Sequence, residues 1–206
     1  TMHLLKQAED QYKESKENVD IINVKCHDLK HQLMEYAKNG QMDSKLVKEL
    51  ENVINIYDST IKTGNEALDL ILSEKSLICQ KKSIKLTSLA DCSKLSFIDK
   101  ADLYSLFGNI IDNAIEAVSK IKDVDKRHIS LIVKNINSFI SISVDNYYDG
   151  DIVLGENGLP LTTKKDKDYH GFGMKSIQLV VNKYDGDLNV NVANNVFSLS
   201  IMFPVK

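Results

Sequence analysis

From Leu5 the chain carries one apolar seam: Leu5, Ala8, Tyr12, Ser15, Val19, Ile22, Cys26, Leu29, Leu33 and Tyr36, in alternating steps of three and four. This is the heptad spacing of a coiled coil or helix bundle, with Ser15 its one weak position. Asn39-Gly40 stops the helix, because glycine is free to take the left-handed cap conformation. Asp43 or Ser44 can cap a second helix. Its stripe runs Leu46, Leu50, Val53, Tyr57 and Ile61 and resumes after Gly64-Asn65 with Leu68, Ile71 and Leu72. Two long helices and a short loop predict an antiparallel hairpin. Such a hairpin cannot bury both stripes alone, so a twofold partner would complete a four-helix bundle.

The period changes after Lys82. Residues 83–89 read as a strand, and Asp99 or Lys100 opens a helix ending near Ile121. Within that helix Leu106, Ile110, Ala114 and Val118 recur every fourth position and suit one buried face. Asn109 and Asn113, also four apart, stack on another face. Period two then takes over, with Ile129, Leu131 and Val133 on one strand and Ile140, Ile142 and Val144 on the next. Residues 147–169 show neither period and read as a long loop with a lid role. A helix over 173–184 follows, stopped by Asp185-Gly186. Two more alternating runs, Leu188-Val190-Val192 and Phe197-Leu199-Ile201-Phe203, flank an Asn194-Asn195 turn. The expected fold is α+β. A two-helix hairpin over 1–81 precedes an α/β sandwich over 82–206, with one mixed sheet and helices on one face.

Composition narrows this picture slightly. The 206 residues carry a net charge of −3, so nothing points to a nucleic-acid or anionic-membrane surface. Cys26, Cys79 and Cys92 are odd in number and lack CxxC spacing. They argue against a zinc site and a disulfide framework, and for a reducing compartment. No apolar run reaches the roughly 18 residues of a membrane span. Beginning in mid-helix pattern, the chain is expected to be a fragment of a longer protein.

Three stretches carry chemistry. In LFGNIIDNAIEA, two amides on an otherwise apolar helix need partners; they either bridge neighbouring elements or bind a ligand. In HGFGMKSI, a glycine-rich loop opens a helix. In KCHDLKHQL, His27 and His31 lie on a long amphipathic helix. Together, in this order and spacing, they resemble the cytoplasmic core of a sensor histidine kinase with an ATP-binding domain of the GHKL superfamily. The likeness is greatest to the peptide-sensing, quorum-type (agr-like) branch. LFGNIIDNAIEA matches the N box, HGFGMKSI the second glycine box, HDLKH the phosphoacceptor box, and TGNEALDLIL the second bundle helix.

The resemblance implies ATP and Mg²⁺ as ligands. Asn113, in the place of the second N-box asparagine, would be the Mg²⁺ ligand, a neutral oxygen that adds no negative charge beside the phosphates. Asn109 would support the phosphate side, while Asp112 points elsewhere and reads as structural. His170, Gly171, Phe172, Gly173 and Met174 would bring backbone amides to the phosphates at a helix N-terminus. Lys164 and Lys165 either reach the phosphates when the loop closes or form a solvated charge cluster. Most of the family places an aspartate against the adenine amino group. Here the position falls on Asn146, a departure that fits the agr-like branch, while Asp145 faces the other way. The later glycines of that turn are out of register.

His27 lies one residue off the seam and should be exposed. A free imidazole titrates near ~6.5 and is largely neutral at pH 7, with a lone pair to attack phosphorus. In the family the acidic neighbour, here Asp28, orients the ring and can take its proton. The role of His31 stays open. The GHKL ATPases carry a glutamate one turn before the N-box asparagine, where this chain has Asn109, which cannot serve as a base. The expectation is therefore a homodimeric kinase that phosphorylates His27 and passes the group to a response-regulator aspartate. It would be the cytoplasmic portion of a sensor whose membrane region lies outside this chain. A GHKL ATPase and a non-catalytic coiled-coil scaffold are the alternatives.

Overall fold

The computed structural model describes residues 2–39, 45–48, 61–150, 152, 154–155, 158–160 and 172–205. The chain divides into two compact units, Thr1–Lys62 and Thr63–Lys206.

The first unit is described mainly through helix α1, Met2–Lys38. Its seam separates into two rows. Cys26 and Leu33 are buried, with Tyr12 and Val19 half-buried in the same row. In the other row Ala8 is buried, but Ile22, Leu29 and Tyr36 are 39%, 51% and 50% exposed. The predicted hairpin loop and most of the second stripe fall outside the described residues. Of the helical turn at 45–48, Val47 is buried and Leu46 is exposed, one residue out of step with the predicted stripe.

The second unit begins earlier than the expected boundary after residue 81. Helix α2, Glu66–Lys81, buries Ala67, Leu68, Ile71 and Leu72 completely or nearly so and packs on the next helix of the same unit. Burial of each large aliphatic side chain is worth about 1.5–3 kcal/mol, which ties α2 to this unit rather than to the bundle. Its stripe continues the helical period of the first unit, and a period does not say which partner will cover it. A start signal does separate the two, however. Asn65 Oδ1 accepts from the N–H groups of Ala67 and Leu68, a side-chain N-cap.

After α2 come strand β1, Lys85–Ala90, a 3-10 turn at Leu95–Phe97, and helix α3, Lys100–Ser119, capped by Asp99. Strands β2, His128–Ile136, and β3, Phe139–Tyr147, precede helix α4, Phe172–Lys183, and strands β4, Asp187–Ala193, and β5, Val196–Pro204. The sheet order is β1-β2-β3-β5-β4. β1 runs parallel to β2, and the other pairings are antiparallel, so the sheet is mixed as expected. The core lies between the inner sheet face (Ile129, Leu131, Val133, Ile140, Ile142, Val144, Leu199, Ile201, Phe203) and the predicted face of α3. Leu106, Ile110, Ala114 and Val118 are all within 2% of complete burial.

The β4–β5 turn places Asn194 and Asn195 at positive φ, 53° and 60°, as a two-residue hairpin of the primed type requires. Gly186 precedes β4 at a close approach. A Cβ there would lie 2.7 Å from the Phe203 ring and 3.0 Å from Met202 O. Of the lid loop, residues 147–150, 152, 154–155 and 158–160 are described, including a Leu154–Pro160 bridge. All three cysteines are free and buried. Burial pushes the Cys79 thiol up to about 11 and the Cys92 thiol up to about 12, so both are inert at neutral pH.

Candidate functional site

The N-terminal turn of α4 lies against the polar face of α3. A Cβ on Gly173 would lie 3.4 Å from Asn109 Oδ1, 3.4 Å from Asn113 Oδ1 and 3.6 Å from Asn113 Nδ2. Two amides four residues apart and a helix start thus converge, although 60 residues separate Asn113 from Gly173 in the chain. The absent side chain at 173 leaves the space between them open.

The two asparagines are not equivalent. Asn109 is half-buried, and its Nδ2 donates to Ser105 O at 2.7 Å and Ser105 Oγ at 3.3 Å. Those bonds fix the amide with its oxygen toward Gly173. Asn113 is exposed, and its side chain makes no hydrogen bond to a described residue. Its amide oxygen is therefore available to a ligand, and burial imposes no cost on it. Asp112, between them in sequence, is held away from the site. It pairs with the buried Lys75 of α2 at 2.8 Å, which bears out its structural reading.

Asn146 ends the inner row of β3 that contains Ile140, Ile142 and Val144 and is only 5% exposed. Its Nδ2 donates to Tyr147 O at 2.8 Å, which leaves Oδ1 as the free acceptor among described residues. Asp145 lies in the opposite row, between Ser130 and Ser198. Met174 is half-buried in the first turn of α4. The backbone of Phe172 opens that helix. Lys164, Lys165, His170 and Gly171 fall outside the described residues.

In the first unit His27 and Asp28 are side by side on α1, 69% and 68% exposed, with Nδ1 and Oδ1 3.9 Å apart. The His31 ring lies 4.6 Å from that of His27, centre to centre.

Sequence reasoning missed two supports of the site. Ser105 Oγ meets Ser176 Oγ at 3.2 Å, linking α3 to α4 one turn from the asparagines. The spacing of Ser105 four residues before Asn109 is the signal that could have shown its contact with that amide. At the far end of the helix pair Asp102, 2% exposed, accepts from Lys183 Nζ at 2.5 Å and from the Tyr184 hydroxyl at 2.6 Å. That hydroxyl in turn accepts from Asp99 N–H at 3.0 Å. An aspartate in a first helical turn reads only as favourable to the helix dipole, so its partners were not legible.

The family profile described as the GHKL domain matches residues 98–204, which is more than half of the chain and contains both asparagines and Gly173. The nucleotide-free catalytic domain of the histidine kinase ThkA is similar in structure at 16% identity and a TM-score of 0.52, over 70% of this chain and 94% of that one. The histidine kinase domain of the Erythrobacter litoralis EL346 blue-light activated histidine kinase is 14% identical over 95% of this chain and 94% of that one, with a TM-score of 0.47. The Acinetobacter baumannii histidine kinase AdeS is 11% identical over 88% and 95%, with a TM-score of 0.48. No curated protein matches the chain. Among the described residues no helix is long and apolar enough to cross a membrane. With the match running from just before α3 to the end of β5 and covering more than half of its residues, the chain belongs to the GHKL domain family.

Proposed function

We propose that this chain is the dimeric kinase core of a sensor histidine kinase, which phosphorylates His27 from ATP and passes the group to an aspartate of a response regulator. The observation that carries the reading is the start of α4 set against Asn109 and Asn113 across an open Gly173. Backbone N–H groups at a helix N-terminus suit phosphate oxygens. An exposed amide oxygen without a hydrogen bond to any described residue suits a hard divalent cation. The residues therefore fit a magnesium-bound triphosphate. Asn113 would hold the ion, Asn109 the phosphate side, and Asn146 Oδ1 the adenine amino group, with residues 170–174 covering the phosphates. Lys164 or Lys165 would close over them. The ion supplies the positive charge that neutralises the triphosphate.

His27 acts as the nucleophile in this reading. Asp28, its carboxylate 3.9 Å from Nδ1, would draw in to hold the proton there, which leaves the Nε2 lone pair to attack. The N–P bond forms as the bond from the γ-phosphorus to the bridging oxygen breaks, and ADP leaves with that electron pair. Asn109 offers no base for water, its neutral amide being unable to take a proton at neutral pH, so hydrolysis is disfavoured. The exposed row Ile22, Leu29 and Tyr36, repeating every seventh residue, supports the homodimer. Asn146 in place of an aspartate supports the agr-like branch, and with it a peptide signal and a membrane-anchored sensor upstream.

Incubation with γ-labelled ATP and Mg²⁺ tests the reading. Acid-labile, base-stable phosphate should appear on the protein and vanish in His27→Gln, while nucleotide binding persists. Free phosphate alone would mean an ATPase, and label that survives His27→Gln would overturn the assignment of the nucleophile.

A further inference from the structure

We propose that His27 and His31 form a two-imidazole chelate for a zinc-type divalent cation, and that a cation there competes with phosphorylation of His27. The site stands on its own geometry; the competition rests on the kinase reading above.

Residues four apart on a helix stack one above the other, and these two rings do so, 4.6 Å between centres with planes tilted by 60°. Zinc binds imidazole nitrogen at about 2.0–2.1 Å in tetrahedral geometry, which asks for two nitrogens roughly 3.3 Å apart. Rings at this separation can present them with a small turn about their side-chain bonds. Both residues are exposed, so a hydrated ion reaches them without any opening of the fold. Water fills the remaining positions, since among the described residues no group of three or more His, Cys, Asp or Glu could hold a metal. The result is an open, exchangeable site rather than a structural one. The cysteine spacing that excludes a zinc finger has no bearing on it.

Asp28 adds an independent argument. Its carboxylate lies on the Nδ1 side of His27, 3.9 Å away. Metal-bound histidines usually turn their second ring N–H toward a carboxylate, which orients the ring and raises its basicity. That arrangement leaves Nε2 of His27 to the metal. It is the same lone pair that would attack phosphorus, and a pair donated to a cation cannot also form an N–P bond. Imidazole favours Zn²⁺, Ni²⁺ and Cu²⁺ over the oxygen-seeking Mg²⁺, so the ion that accompanies ATP does not occupy this site.

Calorimetric titration of the full chain with ZnCl₂ should show one equivalent bound in wild type and in His128→Gln, none in His31→Gln or His27→Gln, and about tenfold weaker binding in Asp28→Asn. Circular dichroism should show that these exposed-face variants keep their helix. Wild type without the equivalent, or His31→Gln with it, overturns the site. For the competition, zinc added before ATP-Mg²⁺ should suppress labelling of wild type more than it suppresses labelling of His31→Gln relative to that variant's own zinc-free level. Phosphorylated wild type should bind no zinc. Zinc bound equally by phosphorylated and unphosphorylated protein overturns the competition. Histidine-dependent zinc binding by a chain that never becomes labelled upholds the site and overturns the kinase reading, whereas labelling without zinc binding does the reverse.

Discussion

The antiparallel pair α3–α4 is built differently at its two ends. Where α3 begins and α4 ends, Asp102 is buried with its Oδ2 bound by both Lys183 and Tyr184, and Tyr184 is bound in turn by the backbone of Asp99. Where α4 begins, Gly173 faces two amides, one anchored to Ser105 and the other bound to no described residue. One end spends its polar groups on itself; the other leaves them for something else. The helices contain similar residue types at both ends, so polarity alone does not mark a site. Polar groups without internal partners, held by a rigid neighbour, do.

This contrast predicts opposite responses to substitution. The largest effect belongs to Asn113→Asp. A further negative charge beside a triphosphate should abolish Mg²⁺-dependent binding of a non-hydrolysable ATP analogue in calorimetry. Stability should move by less than about 0.5 kcal/mol, because the residue is exposed. Unchanged affinity would remove Asn113 from the site. Asp102→Ala should do the reverse. Loss of hydrogen bonds around a buried carboxylate should cost about 1–3 kcal/mol in urea unfolding, softened because Lys183 is half-exposed and regains water. Nucleotide affinity should change far less than in Asn113→Asp, and an equal loss in both would mean that the two ends are not independent.

Gly173→Ala sharpens the comparison at a smaller scale. The new methyl would make ordinary contact with both amide oxygens and occupy the space between them. Analogue affinity should fall severalfold while stability holds or rises by about 0.4–1 kcal/mol, as for glycine replaced at a compatible backbone position. The smallest effect is on pH dependence at the locked end. Burial, then the Asp102 hydrogen bond, raises the Tyr184 phenol above its ordinary value, and the Asp102 hydrogen bond raises the Lys183 ammonium. Both groups hold their protons more tightly folded than unfolded. Their contribution is intact below about pH 10 and is lost as pH rises through the folded values. The urea midpoint should fall above about pH 10, and less steeply in Asp102→Asn; equal slopes in the two proteins would count against the network.

The open end was more legible in the sequence than the locked one, and for a physical reason. Asn109, Asn113 and the apolar face of α3 are local patterns, readable from a spacing of four. The hairpin turn at Asn194-Asn195 is likewise local, set by which residues tolerate positive φ. The meeting of Gly173 with the asparagines was implied by the family resemblance and not by any spacing. Asp102 with Lys183 joins residues 81 positions apart, and nothing in either neighbourhood announces the other. The unit boundary failed for a related reason. The stripe of α2 has the right period for the bundle, but Leu68, Ile71 and Leu72 are covered within the second unit. The cap signal of Asn65 was present and would have separated the helices.

That cap sits beside another feature, Thr63, the first residue of the second unit. Its N–H and hydroxyl both donate to Asp69 Oδ1, at 2.6 and 2.7 Å, and its carbonyl accepts from Cys92 N–H at 3.0 Å. The unit is therefore stitched to its incoming strand of chain at two places at once. A pull along that chain loads the first turn of α2 and the segment after β1 together. Helix α2 cannot be peeled turn by turn from its end, because the stitch must fail first.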